Sequence, residues 1–178
     1  STPKPSSAAS DVYKRQELLK SEFIMALGCT EPISIALAAA KAREVLGDIP
    51  TKIEVMCSGN IIKNVKGVTV PNTNGMKGVE AATAIGTVAG DSCLGLEVLS
   101  KVTEDDIKAA KDLMAKDIIT VSLKEGVENL DIEIVAEDEN GNTVDVEIKN
   151  KHTNIVKVTK NDEIIPVSYT HLTLPTKA

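Results

Sequence analysis

Aromatic side chains, cysteines and histidines are scarce in this sequence, and basic residues are outnumbered. The 178 residues include no Trp, one Phe, two Tyr, three Cys and two His, and 26 acidic residues stand against 20 basic ones. Nucleic-acid binding relies on basic surfaces and on aromatic rings that stack on bases, and anionic membranes also attract basic segments. We therefore expect neither nucleic acid nor a membrane as a partner. No apolar run approaches the roughly 20 residues of a membrane span.

The cysteine pattern excludes two further classes of protein. Cys29, Cys57 and Cys93 are an odd number of thiols, and their spacing is typical of neither a disulfide framework nor a zinc site. Reduced thiols in a cytoplasmic protein fit this pattern best. Because rings are almost absent, the core has to be built from Ile, Val, Leu and Ala.

Both ends of the sequence look foreign to the protein. Residues 6–16 and 167–176 are translations, in different frames, of the two strands of one oligonucleotide that looks like a sequencing adaptor. We therefore predict that residues 1–16 and 166–178 are adaptor-derived and that 17–165 are part of a longer protein. Most of the excluded charged residues are basic, so the central segment is more acidic than the whole chain, whose net charge is −6.

Helices and strands are both indicated along the central segment. Hydrophobic residues at helical spacing predict helices at 17–27, 33–46, 78–90 and 103–115. Alternating or β-branched runs predict strands at 52–57, 61–70, 118–123, 130–137, 143–149 and 153–159, with one more after 162. Thr103 and Asp106 form a capping box, and Asn140-Gly141 predicts a hairpin turn. The fold class is α+β, with helices packed on one face of a mostly antiparallel sheet.

One cysteine is placed where its thiol can ionise. Cys29 and Thr30 precede Glu31-Pro32 and an alanine-rich apolar run at 33–40, so Cys29 or Thr30 falls at the start of a buried helix. Unpaired backbone N–H groups and the helix dipole favour a thiolate at such a position. A small structural cysteine at the top of the helix explains the same pattern equally well.

Small polar groups occupy several turns between apolar elements. The Ser-Gly-Asn turn at 58–60 and the Asn-Thr-Asn-Gly loop at 72–75 can offer backbone N–H groups to a carboxylate, although ordinary turn chemistry explains both. His152, beside Thr153 and Asn154, opens a predicted strand. It is either a substrate-binding or a hydrogen-bonded structural histidine.

Four motifs occur here in the order seen in the L-cysteine desulfidase family. They are Leu-Gly-Cys-Thr-Glu-Pro at 27–32, Ser-Gly-Asn at 58–60, a Val-Pro loop with two glycines at 70–78, and His-Thr-Asn-Ile at 152–155. Nearly all of residues 17–165 resembles an N-terminal portion of that family, which is related to the catalytic chain of the iron–sulfur L-serine dehydratases. Asn72 stands where the family usually has glycine.

The resemblance implies β-elimination from a small amino acid without pyridoxal phosphate. It implies a 4Fe–4S cluster as Lewis acid, Cys29 as the base that removes the Cα proton, and pyruvate, ammonia and sulfide as products from cysteine. The residues implied in substrate binding are Thr30, Glu31, Ser58, Asn60, Thr73, Asn74, His152 and Asn154. The family's cluster ligands lie beyond residue 165. We therefore expect no metal ligands and no lyase activity in this chain alone. We expect activity to require the rest of the same protein, and a homo-oligomer is one possible assembly.

Three alternatives stay open at this point. The segment is compatible with a non-catalytic amino-acid-binding or regulatory module in which Cys29 is structural. It is also compatible with an L-serine dehydratase-type lyase. A thiol hydrolase would need Cys29 and His152 in contact, and the sequence has no hydrolase signature.

Overall fold

A computed structural model describes residues 11–16 and 30–167. The predicted helix at 17–27 and Cys29 lie outside the described residues, as does most of the predicted C-terminal adaptor stretch. The helices are α1 (Thr30–Leu46), α2 (Gly59–Val65), α3 (Val79–Ala89) and α4 (Glu104–Ala115), with a 3₁₀ helix at Ser92–Glu97. Residues 11–16 are also helical.

The described strands form a single six-stranded sheet. They are β1 (Lys52–Cys57), β2 (Ile119–Leu123), β3 (Asp131–Glu137), β4 (Thr143–Lys149), β5 (Ile155–Lys160) and β6 (Glu163–Ile164). Their spatial order is β2-β1-β3-β4-β5-β6, and β1–β2 is the parallel pair among antiparallel neighbours. The predicted α+β class is therefore confirmed, with a mostly antiparallel sheet.

The alternation along the strands decides where the core lies. On β3 and β4, Ile134 pairs with Val146 and both side chains are buried, while their neighbours Glu133 and Glu147 pair on the opposite face. Helix α1 packs on the apolar face, against β3 and β4, and α3 packs on α1. The predicted covering of one sheet face by helices is confirmed. Aliphatic residues and alanine fill this core where another protein would use rings.

Helices α1 and α3 approach each other closely because of small residues. A Cβ atom built on Gly86 would lie 2.4 Å from the carbonyl oxygen of Ala36, and one built on Gly90 would lie 2.6 Å from the Cβ of Ala40. Both distances are too short for real contacts. The alanine-rich sequence of α1 is therefore matched by glycines at the same spacing, Gly86 in α3 and Gly90 directly after its last residue.

Most predicted elements are confirmed to within a few residues, and so are two local motifs. Thr103 caps α4, its side chain accepts a hydrogen bond from Asp106 N–H, and the Asp106 carboxylate accepts one from Thr103 N–H. The Asn140-Gly141 turn joins β3 to β4, with Gly141 at φ 83°. Each motif depends on neighbours in the sequence, which is why sequence patterns find it.

The predicted strand at 61–70 is wrong. Residues 59–65 form α2, and Ser58, expected in a turn, precedes its first residue. The β-branched residues suggested a strand, but Ile61 and Val65 are four residues apart, which is one helical turn, and both are buried. Packing of that helical face overrode the strand preference of the individual residues.

No helix in the described part of the chain is both long enough and apolar enough to cross a membrane.

Candidate functional site

The first turn of α1 contacts the turn that carries His152. Thr30 Oγ1 and His152 Nε2 are joined by a hydrogen bond of 2.9 Å, across 122 positions of sequence. Ser34 Oγ donates a hydrogen bond of 2.7 Å to the carbonyl oxygen of His152. Both residues of the helix face the same turn because they are four positions apart. The structure thus brings two of the predicted site residues, Thr30 and His152, into direct contact.

The turn at 150–154 is shaped by asparagines. Asn150 has φ 69°, in the left-handed region that asparagine tolerates better than most residues. Asn154 Nδ2 donates to the carbonyl oxygen of Lys149 at 3.0 Å, and Asn154 N–H donates to that of Lys151 at 3.0 Å. The side-chain amide of Asn154 therefore closes the turn that presents His152.

A cavity of about 480 Å³ begins one helical turn after Thr30, at Ile33. Its opposite walls are the loop at 69–74 and the segment at 96–100. The predicted site residues Thr73 and Asn74 belong to this lining, which is mainly apolar. Pockets of this size and character hold small organic molecules.

The loop at 72–75 has an unusual backbone. Asn72 and Asn74 have φ of 60° and 55°, and Gly75 has φ of 95°. Asparagine is the residue that most often replaces glycine in the left-handed conformation. Asn72 can therefore occupy a position where the family it resembles usually has glycine, with the loop conformation intact.

Side chains of this loop fix it to its surroundings. Thr73 is buried and its Oγ1 donates to the carbonyl oxygen of Val70 at 2.6 Å. Asn74 is exposed, and its Nδ2 donates to the Glu104 carboxylate at 2.8 and 3.0 Å. The loop is thereby attached to the first turn of α4, and the cavity wall that it forms is held in place.

The other predicted pair, Ser58 and Asn60, lines a different cavity. That cavity has a volume of about 310 Å³ and is closed by the loop at 123–129. Ser58 is buried, and its Oγ donates a hydrogen bond of 2.7 Å to the carbonyl oxygen of Asn129. Asn60 is exposed at the start of α2. The structure therefore does not gather all of the predicted substrate-binding residues around one cavity.

The two described cysteines have very different environments. Burial and the negative charge of Asp131, opposed by Lys124, raise the pKa of Cys57 to about 12. Its thiol is therefore un-ionised at neutral pH. Cys93 is a free thiol on the surface. Cys29, the predicted base, lies outside the described residues, while Glu31 is half-buried in the first turn of α1.

The residues described here do not fit an iron–sulfur cluster. Among residues 11–16 and 30–167, no group of three or more His, Cys, Asp or Glu side chains is arranged to hold a metal ion. Cys57 is buried in β1 with a neutral thiol, and Cys93 is exposed in the 3₁₀ helix. Cluster ligands have to be thiolates that converge on one point.

Sequence reasoning missed Ser34. It is fully buried and is the residue of α1 whose side chain reaches across to the His152 backbone. A signal was present, because Ser34 is a single hydroxyl within an otherwise apolar run of the helix.

No protein-family model matches the chain. It is 86% identical over 157 residues to a UPF0597 protein of Finegoldia magna, an alignment that covers 87% of this chain and 38% of that relative. A UPF0597 protein of Treponema denticola is 48% identical over 152 residues, covering 85% of this chain and 35% of its own length. One of Fusobacterium nucleatum is 44% identical over 155 residues, with 86% and 36% covered. The chain is thus similar to a portion of these UPF0597 proteins and spans little more than a third of their length.

Proposed function

We propose that the full-length protein is an iron–sulfur-dependent lyase that eliminates hydrogen sulfide from L-cysteine and forms pyruvate and ammonia. One observation carries the proposal. Thr30 and His152 belong to the first and the last of the four motifs that resemble L-cysteine desulfidases, and they meet through a 2.9 Å hydrogen bond. Residues that lie far apart in the sequence and meet in the fold are typical of an active site, and Ile33, three positions after Thr30, lines the 480 Å³ cavity.

The reaction needs a base next to the substrate Cα. Cys29 directly precedes Thr30, the first residue of α1, and a helix N-terminus favours the thiolate form of a cysteine. The thiolate takes the Cα proton, and the released electron pair forms the Cα–Cβ double bond as the C–S bond breaks. Sulfide leaves with a proton, and water hydrolyses the resulting aminoacrylate to pyruvate and ammonia.

The polar groups near the start of α1 supply contacts for the amino acid. Thr73 and Asn74 line the 480 Å³ cavity, and Thr30, which is hydrogen-bonded to His152, lies three positions before Ile33 of the same lining. Hydroxyl, amide and imidazole groups suit the carboxylate and amino groups of a small substrate. Ser58 and Asn60 line the second cavity. They can therefore bind the same substrate only if the two cavities are brought together by a conformational change, or if the substrate also contacts the second cavity.

The resemblance also implies a 4Fe–4S cluster that would act as a Lewis acid on the leaving group. Since the described residues do not fit such a cluster, its ligands are assigned to the portion of the protein beyond this chain.

The test uses the full-length protein, purified without oxygen. L-cysteine and L-serine are supplied separately and pyruvate is followed in the wild type, in Cys29→Ala and in Cys93→Ala. We expect pyruvate from L-cysteine in the wild type and in Cys93→Ala, and a loss of at least about 10²-fold in Cys29→Ala. Pyruvate from L-serine alone would assign a dehydratase instead. Equal activity in Cys29→Ala would remove this residue from the reaction.

A non-catalytic amino-acid-binding module is the second candidate. The 480 Å³ cavity favours this function, because the hydroxyl of its lining residue Thr73 donates to the Val70 carbonyl oxygen. This hydroxyl therefore stabilises the cavity wall and has no assigned part in a reaction. Alkylation of the present chain separates the two functions, since Cys93 is an exposed reference thiol and Cys57 a buried one. Labelling of Cys29 at neutral pH faster than Cys93 supports the lyase. Protection of Cys29 to the degree of Cys57 supports the module.

A further inference from the structure

Ser34 is a hydroxyl in a place where the fold would accept alanine. Helix α1 is buried without interruption from Pro32 to Ala40, and apart from Ser34 this stretch consists of Pro, Ile, Leu and Ala. Alanine has the higher helix propensity, and Ala36, Ala38 and Ala39 of the same helix are equally buried. A buried hydroxyl is unfavourable unless it is hydrogen-bonded. The presence of serine is therefore explained by what its hydroxyl binds.

The hydroxyl of Ser34 binds outside its own helix. Its Oγ lies 2.7 Å from the carbonyl oxygen of His152 and 3.3 Å from that of Thr30. A hydroxyl has one proton to donate, and the shorter distance to His152 is the better hydrogen bond. Ser34 thus joins α1 to a turn that is 118 positions away in the sequence.

Together, Thr30 and Ser34 hold His152 at two points. Ser34 fixes the backbone carbonyl, and Thr30 fixes the imidazole at Nε2 with a 2.9 Å hydrogen bond. The two residues are four positions apart on α1, so both contacts come from one rigid face. The turn on the other side is closed by Asn154. Backbone and ring are therefore fixed relative to the same helix, and the imidazole has little freedom to rotate away.

We infer that Ser34 is a positioning residue, which fixes His152 against the start of α1 and so orders the site. Its contribution to turnover rests on the proposed lyase function, whereas the fixing of His152 does not. A positioning residue acts through its partner. Removal of the Ser34 hydroxyl should therefore lower turnover only in a protein that has the His152 imidazole.

The kinetic test uses the full-length protein with Ser34→Ala, His152→Gln and the double variant. Ser122→Ala is the matched control, because Ser122 is exposed on β2. We expect kcat/KM for pyruvate formation to fall about tenfold in Ser34→Ala and to stay unchanged in Ser122→Ala. In the His152→Gln background the same Ser34 change is expected to have no further effect. An equal tenfold loss in both backgrounds would mean that Ser34 only stabilises the fold, and would overturn the inference.

The second test needs no activity. The present chain has two histidines, so the imidazole NMR signals of His152 are identified by their disappearance in His152→Gln. We expect Ser34→Ala to shift or broaden these signals and Ser122→Ala to leave them in place. Unchanged His152 signals in Ser34→Ala would overturn the inference, whatever the kinetics show.

A third variant keeps the test decisive if Ser34→Ala does not fold. Ser34→Cys has nearly the same shape but is a weaker donor, and we expect a smaller shift of the same signals. If the full-length protein forms no pyruvate from either amino acid while these signals shift, the proposed function fails and the fixing of His152 by Ser34 stands. If the His152 signals do not shift in Ser34→Cys, the fixing of His152 by Ser34 fails, whether or not pyruvate forms.

Discussion

The two faces of the sheet are stabilised in opposite ways. The inner face is covered by α1 and α3, whose close approach is allowed by Gly86 and Gly90 facing alanines. The outer face carries a network of ion pairs, whose members are Lys124, Asp131, Glu133, Asp145, Glu147, Lys149 and Lys157. One face depends on the volume of its side chains and the other on the balance of its charges.

The strand register makes the lysines of the outer face necessary. Glu133 and Glu147 stand directly opposite each other on β3 and β4, and like charges in that position repel. Lys124 Nζ lies 2.8 Å from Glu133 and 3.0 Å from Asp131, and it is also paired with Glu147. Lys157 Nζ lies 2.7 Å from both Glu133 and Asp145. Each carboxylate therefore has a lysine within contact distance.

The comparison shows that side chains are buried for different reasons on the two faces, by apolar packing on the inner face and within ion pairs on the outer face. Asp131 is as inaccessible as the core isoleucines, although it lies in the charged network. A Cβ atom added at Gly86 or Gly90, between the helices of the inner face, has no space. A charge removed from the outer face leaves carboxylates that are partly withdrawn from water and unpaired.

The largest effect is expected on the inner face, from Gly86→Ala. The added Cβ would lie 2.4 Å from the Ala36 oxygen and 2.6 Å from its Cα, so the two helix backbones have to separate. We expect the free energy of unfolding, measured by urea denaturation, to fall by about 3 kcal/mol. Gly67→Ala is the control, since its Cβ meets nothing within 4 Å, and a change under about 0.5 kcal/mol is expected there. Equal effects at both positions would show that the contact between α1 and α3 at Gly86 is not tightly packed.

On the outer face the sharper change is Lys124→Met, which keeps the aliphatic stem and removes the charge. It leaves Asp131, Glu133 and Glu147 with fewer partners in a partly buried setting, and we expect a loss of about 2 kcal/mol in the same urea experiment. Lys52→Met is the matched control, because the Lys52–Glu54 pair has side chains 58% and 46% exposed. Exposed pairs contribute about 0.5 kcal/mol or less. If both variants lose the same amount, the network adds nothing beyond ordinary surface pairs.

The smallest effect is expected in the pH dependence of stability, which tests the ion pairs of Glu133 on the outer face. Burial raises the pKa of Glu133, but hydrogen bonds and charges from Lys124 and Lys157 outweigh it and lower the pKa from 4.5 to about 2. A lowered folded-state pKa gives stability that is complete above the unfolded value and is lost as pH falls from about 4.5 towards about 2. We expect Glu133→Gln to unfold at lower urea than the wild type at about pH 7.

The acid range decides the outcome of this experiment. The urea midpoints of wild type and Glu133→Gln are expected to converge towards about pH 2, since protonated Glu133 no longer attracts the lysines. Burial raises the pKa values of Asp131 and Asp145 despite the adjacent lysines, and Glu133 adds to the rise at Asp145, so Glu133→Gln also removes that contribution. A constant gap between the two midpoints across the whole range would contradict the assigned role of Glu133.

Elements with a local cause were predictable from the sequence. The capping box at Thr103 and the hairpin at Asn140-Gly141 involve residues within a few positions of each other, and both are confirmed. Helix α2 was missed because its two buried residues, Ile61 and Val65, are β-branched and suggested a strand. Which face of that segment is buried depends on the sheet and helices around it, and no local pattern contains that information.

The candidate site shows the same division. The resemblance to L-cysteine desulfidases named Thr30 and His152 but not their contact, and it did not name Ser34. It also grouped Ser58 and Asn60 with Thr73 and Asn74, and the structure places these pairs at separate cavities. A motif list gives residue identities in order along the chain, whereas cavities are formed by elements that meet only after folding.

The sequence by itself determined the fold class, the alternation that gives the sheet one apolar and one charged face, and the alanine-rich helix at its centre. Hydrophobic period and turn chemistry act over a few residues, so they can be read along the chain. The tertiary structure alone decided that α1 and α3 approach within backbone contact at Gly86, that Lys124 and Lys157 share the Glu133 carboxylate, and that Ser34 and Thr30 hold His152. Each of these depends on distances between atoms of different helices, strands and loops, which are set only when the sheet and its helix layer pack together.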